Sequence, residues 1–283
     1  MSPIIGCFRG EWLLARKSRS TWVLGVVLIV LILVLIYGAV ALELSVLLKR
    51  GSIAATPANI ATIKGALSPS QFLRSTLAAF TGVGYGNAIA IILGVLVFGG
   101  DYSSSTLKMV FTQGPSRWAI LAGKALAIAL ILLVYAIAAI AAGAGASAVT
   151  GAAYGLPPDW PGIGDIIKAG LTAWLLMGLW AAGGAMLVTL FRQTALAVGV
   201  GIVYSIGIEG LLLNILRALE KVSSLSDVER VFPGANGAAL ADSFGPKAGT
   251  ALVSPIQATV VVIAYLAVFL AITFIVTQRR DVT

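Results

Sequence analysis

The stretch WVLGVVLIVLILVLIYGAVAL, Trp22 to Leu42, decides the fold class. It holds 21 consecutive residues without a charge, the length an α-helix needs to cross about 30 Å of hydrocarbon at about 1.5 Å per residue. The basic residues Arg16, Lys17 and Arg19 precede it, and Ala39-Val40-Ala41 near its end has the form of a signal-peptidase site. The apolar core of a secretory signal runs to only about 7 to 15 residues, so the stretch is read as a retained first span. IIGC, ending at Cys7, resembles the end of a lipoprotein signal, but no apolar region of sufficient length precedes it.

Five further segments of this kind follow, giving spans at about 22–43, 77–99, 118–149, 166–190, 195–216 and 256–277. The whole composition agrees, with 59% hydrophobic and 11% charged residues in 283 and a mean hydropathy of +1.01. Soluble domains carry about 25% charged residues, so the apolar excess must face lipid. Runs of this length without alternation exclude barrel strands, and a lipid-exposed backbone then has to be helical. The expected fold is all-α, a single polytopic membrane domain of about six transmembrane helices.

Net charge is +8, yet the 19 Lys and Arg are spread over many loops with no sustained basic face. Anionic lipid headgroups, rather than nucleic acid, are the partner this implies. Cys7 is the single cysteine and histidine is absent, so the common His/Cys metal sites and intrachain disulfides cannot form. Basic residues are nearly equal in number on the two sides, but they are denser beside the first span and after the last, at Arg279 and Arg280. Both termini are therefore expected in the cytoplasm.

Two long outer segments result, at about 45–76 and 217–255. The second contains VFPGANGAALADSFGPKAG, Val231 to Gly249, whose Pro and Gly residues interrupt any continuous span. It reads as a surface loop or as a partly re-entrant hairpin whose backbone is covered by protein or water. Near the N-terminus Ile5, Phe8, Trp12 and Ala15 fall on one helical face, which suits an interfacial helix leading into the first span. Small residues, Gly178 with Ala182, and Gly199, Gly201 and Gly207, mark places where helices can approach closely.

The richest stretch is FGGDYSSSTLKMVFTQGPSRWAILAGK, Phe98 to Lys124, between the second and third spans. The serines Ser103 to Ser105 can start a helix and Gly114-Pro115 ends it, which leaves about two turns over 103–113. Leu107, Val110 and Phe111 share one face of it, an apolar stripe suited to lipid or a protein partner. Arg117 and Lys124 lie seven residues apart on one side of the next helix, either snorkelling to headgroups or making a specific contact. Glu209 is the only acid well inside a predicted span and is expected to face protein or a wet cavity.

The Phe98–Lys124 stretch resembles the loop between the second and third spans of type-2 ABC transporter permeases. That pattern has an acid at the span end, then Gly-Thr-Leu, then Pro-Ser-Arg, then Gly-Lys; here Asp101 stands for the commoner Glu, and Ser104-Ser105 replaces a basic residue and Gly before Thr106. RGEWLLARKSRSTW, Arg9 to Trp22, resembles the connecting helix of the same family. FRQTALAVGVGIVYSIGIEGLL, Phe191 to Leu212, resembles its fourth-to-fifth-span turn and fifth span.

The resemblance implies an exporter permease of a bacterial cell membrane, half of a translocation pathway, working with a second copy or homologue and two ABC ATPase subunits. It makes 103–113 a cytoplasmic coupling helix, with Asp101, Thr106, Leu107, Val110, Phe111, Pro115, Arg117 and Lys124 as coupling residues. Glu209 and Asn214 become pathway candidates. No G-x-x-x-x-G-K-[ST] phosphate loop occurs, since Gly123-Lys124 is followed by Ala125. ATP and Mg are accordingly expected in the partner ATPase, with no cofactor, metal or catalytic residue in this chain. A non-transporting anchor, sensor or immunity protein of the same fold is the alternative, and the cargo is open among drug, lipid, peptide and polysaccharide.

Overall fold

The structure, a computed structural model, describes residues 3–50, 56–81, 84–103, 116–212, 215, 230–245 and 253–279. Every regular element among them is helical. An N-terminal helix, α1 (Pro3–Lys17), is followed by α2 (Arg19–Lys49), which contains the apolar stretch that fixed the fold class. Short helices α3 (Pro57–Leu67) and α4 (Phe72–Leu77) lead into α5 (Tyr85–Ser103). Then come α6 (Arg117–Ala153), α7 (Ile163–Phe191), α8 (Thr194–Leu212), α9 (Pro233–Asp242) and α10 (Pro255–Arg279).

Among the described residues α2, α6, α7, α8 and α10 are long and apolar enough to cross a membrane. A sixth span results if Pro69–Phe80 and Tyr85–Gly100, bent by 48° at their junction, are taken as one. The protein is therefore an all-α polytopic membrane protein. Its N-terminal helix is present as α1; the expected coupling helix at 103–113 lies, apart from its first residue, outside the described residues.

At the centre of the bundle α5 crosses α7 with the two backbones in contact. A Cβ added at Gly94 would collide with the Ala181 carbonyl, and one added at Gly184 with the Ile91 carbonyl. These reciprocal glycines let the helices approach closer than side chains allow, the usual means of association where no hydrophobic force acts between helices in lipid. The small residues singled out from the sequence behave differently. Gly178 meets only Leu266 at an ordinary 3.9 Å, Gly199 and Gly207 face open space, and Gly201 alone packs tightly, against Ile91.

The first outer segment is a folded cap. Thr56 starts α3 by accepting a hydrogen bond from the Asn59 amide (3.3 Å), with Pro57 in the first turn. Leu67, Phe72, Leu73 and Leu77 are buried beneath it. This cap explains the length of α6, which at 37 residues runs about 55 Å, well beyond a bilayer core. Its outer turns donate from Ser147 (3.3 Å) and Thr150 (3.0 Å) to the Leu67 carbonyl at the end of α3. Gly143 and Gly151 belong to the helix, where they make room for Thr76 and Pro69.

Of the 217–255 segment, the described stretch 230–245 packs into the bundle. Pro233, Gly234, Asn236, Gly237 and Leu240 of α9 are buried, with α10, α4 and α7 packed around them. The Pro- and Gly-rich stretch is thus covered by protein, the condition under which an interrupted helix is tolerated at membrane depth.

Gly94→Ala and Gly184→Ala should each lower stability by about 1–3 kcal/mol, the usual penalty for overpacking. Gly199→Ala, which meets open space, should not. Thermal unfolding of the three variants in detergent measures the difference.

Candidate functional site

The N-terminal end of α6 gathers α1, α5 and α10. Ser116 caps α6 through its hydroxyl, which accepts from the Ala119 amide (3.3 Å). The next residue, Arg117, donates to the Gln278 carbonyl (2.9 Å) and the Thr277 carbonyl (3.5 Å) in the last turn of α10. A cation there satisfies carbonyls that a helix terminus leaves without intrahelical partners and complements the dipole. Trp118 stacks on Phe274 of α10, with ring centroids 4.9 Å apart and planes at 26°.

Two turns further on, the Gly-Lys pair joins α6 to α1. A Cβ at Gly123 would lie within 3 Å of Cys7 and the Phe8 amide nitrogen, so the two backbones meet there. Lys124, only 4% exposed, forms an ion pair with Glu11 of α1 (3.2 Å) and donates to the Val97 carbonyl of α5 (2.9 Å). One ammonium thus fastens three helices. A buried lysine is tolerable because both contacts replace water at the charge.

Between these helices lies a cavity of about 330 Å³, lined by Glu11, Leu14, Thr21, Leu93, Val97 and Lys124 among others.

The inward face of α1 consists of Cys7, Phe8, Glu11, Trp12 and Ala15, whereas Ile5 is 46% exposed and lies off it. Glu11 joins Phe8, Trp12 and Ala15 of the face drawn from the sequence because Lys124 draws it inward. Glu11 was not singled out from the sequence. Its one visible signal is a carboxylate spaced four residues after Cys7 and before Ala15, within an otherwise apolar helical stripe. Its partner stands far away in the chain, out of reach of any local pattern. Leu13 is exposed on the other side of α1.

Of the remaining coupling candidates, Asp101 lies in the last turn of α5. Thr106, Leu107, Val110, Phe111 and Pro115 fall outside the described residues, between the end of α5 and the start of α6. The structure therefore brings together Arg117 and Lys124, each in contact with other helices, at the base of the segment that holds the others.

Toward the far end of α8, Glu209 is fully buried. It accepts a hydrogen bond from the Gly234 amide at the start of α9. A carboxylate at a helix N-terminus meets unpaired amides and the positive end of the dipole. Gly234 is required there, since a Cβ would strike the carboxyl group. Arg74 of α4 pairs with Asp242 (2.8 Å) at the opposite end of α9, so both ends of the inserted helix are tied to the bundle. Asn214, the other pathway candidate, lies outside the described residues. Neither cluster joins a nucleophile to a base; both hold helices in place.

A family model described as ABC-2 family transporter protein matches residues 7–282, nearly the whole chain. No curated protein sequence matches the chain significantly.

Replacing Lys124 by Met leaves Glu11 facing a largely buried space without its cation, and should destabilise the protein by about 3 kcal/mol, the lower end for breaking a buried pair. Combining it with Glu11→Gln should recover part of that loss. A double-mutant cycle read by thermal unfolding checks the coupling.

Proposed function

The chain belongs to the ABC-2 transporter family as a membrane permease, and from that premise we propose that it forms half of the translocation pathway of an ATP-driven exporter. In this reading ATP and Mg bind a separate ABC ATPase, present in two copies, and a second copy or homologue of this chain completes the pathway. The assembly sits in a bacterial cell membrane with both termini in the cytoplasm.

The observation that carries the reading is the fastening of α1, α5, α6 and α10 at one end of α6, directly beside the 104–115 segment. Lys124 links α6 to α1 and α5, and Arg117 links it to α10. A force delivered to that segment by an ATPase would move these four helix ends together instead of bending a single loop. Interfaces of packed helices switch between discrete arrangements, so a small displacement at the base can change access at the far end. Leu107, Val110 and Phe111 would supply the apolar contact with the ATPase, and Asp101, Thr106 and Pro115 would shape the loop around it.

Exposed faces on α2 and α8 support the assembly. Val26, Val30 and Val34 on α2, and Val203 and Leu211 on α8, are all largely uncovered. In a bilayer such surfaces meet lipid or another copy of the chain. The family resemblance implies that the first, second and fifth spans border the pathway, which makes Glu209 and Asn214 candidates for its lining.

Leu107→Asp with Phe111→Asp should detach the ATPase or abolish its stimulation, while insertion of the spans is retained. Co-purification of an ABC ATPase with this chain, together with its rate of ATP hydrolysis, is the measurement. Unchanged association and stimulation would overturn the reading.

A further inference from the structure

Cavities between the helices differ in chemistry. Those among α6, α7 and α10 (about 240 Å³) and among α7, α8 and α10 (about 270 Å³) are almost wholly apolar. The one beside Lys124 is more polar, but its ammonium is already engaged by Glu11 and the Val97 carbonyl. Another, about 300 Å³, lies between α2 and the short helices α3, α4 and α9, at the end of the bundle where α6 finishes. Leu35, Ile36 and Val40 of α2 form its apolar wall, and Arg74 and Asp242 both line it.

These two charges keep spare hydrogen-bonding capacity inside the cavity they line. Arg74 donates to Asp242 through Nε alone, to Oδ1 at 2.8 Å. Among the described residues neither Nη nor Asp242 Oδ2 has a hydrogen-bond partner. A guanidinium held in this way still presents the paired N–H donors of Nη1 and Nη2, an edge that matches two oxygens of a phosphate. Both side chains are about half exposed, so a ligand can reach them. Their positions are constrained: a Cβ added at Gly245 would lie 2.5 Å from Arg74 Cδ. Asp242 is the last residue of α9, where the helix dipole adds to its attraction for positive charge.

The lining restricts the charge of the occupant. A simple anion at Arg74 would also meet Asp242, and a simple cation at Asp242 would meet Arg74. A ligand carrying both signs satisfies both. The wall on α2 calls for an alkyl part as well, and Leu33, Val34 and Leu42 beside it in sequence are exposed, a surface that meets lipid in a bilayer.

We propose that this cavity binds the headgroup of an aminophospholipid with a primary ammonium, of the phosphatidylethanolamine type. Nη1 and Nη2 of Arg74 donate to its phosphate, its ammonium donates to Oδ2 of Asp242, and an acyl chain follows Leu35, Ile36 and Val40. A choline headgroup has no N–H for Asp242, and a glycerol headgroup has no positive charge for it. The inference concerns binding alone and stands apart from the permease reading.

The test uses the purified full chain in maltoside micelles and native mass spectrometry, with phosphatidylethanolamine, phosphatidylcholine and phosphatidylglycerol of identical acyl chains. Phosphatidylethanolamine should fill one saturable site about tenfold more tightly than the other two. Arg74→Gln and Asp242→Asn should each remove that preference. Because the pair also holds α9, Ala78→Trp supplies an independent variant. It fills the cavity from an exposed lining position with both charges left in place, and should weaken binding about tenfold. Glycerophosphoethanolamine, the headgroup without its chains, should not displace the lipid. Equal binding of the three lipids, or unchanged binding and preference in the variants that fold, would overturn the proposal. Displacement by glycerophosphoethanolamine would overturn the assignment to a lipid.

Discussion

The crossing of α5 over α7 is the constraint around which the bundle is arranged. At Gly94 and Gly184 a carbonyl of the opposite helix occupies the space a Cβ would need. Within lipid, burying apolar surface gains little, because the surroundings are as apolar as the core; close backbone packing has to supply the attraction instead. The other long helices then arrange themselves around this pair. α8 enters on the same side through Gly201 against Ile91, a residue of the crossing itself, and α10 lies along α7.

Polar groups do different work at the two ends. At one end Lys124 and Arg117 each gather carbonyls or a carboxylate from neighbouring helices, so that the start of α6 is the meeting point of α1, α5 and α10. On the outer side Glu209 and the Arg74–Asp242 pair hold the two ends of α9. A buried charge is costly wherever it is placed in such a protein, and each of these is retained where it joins elements distant in the chain. The permease role gives this a use, since a transporter needs stiff units at each end with a rearrangement between them.

Much of the fold was legible in the sequence because lipid imposes simple rules. Long uncharged runs have to be helices, and Trp22–Leu42 alone settles that. Gly123-Lys124 was legible as part of a family pattern and as something other than a phosphate loop. What it does instead, pressing the backbone of α6 against Cys7 and reaching Glu11, depends on a helix more than a hundred residues away. Glu11 escaped notice for the same reason, since a periodicity argument counts a carboxylate as outward-facing unless its partner is known.

Sequence by itself determined the fold class, the long apolar segments, the lack of a phosphate loop and the resemblance to permeases, all of which follow from local composition and short motifs. Only the tertiary structure decided which glycines meet backbones, that Pro233–Asp242 is a helix packed among the others, and that Glu209 meets its first turn. The reason is physical. A charge-free run of about 20 residues can satisfy its backbone in lipid in essentially one way, whereas the partner of a glycine or a buried acid is chosen by packing among helices that the chain order does not place together.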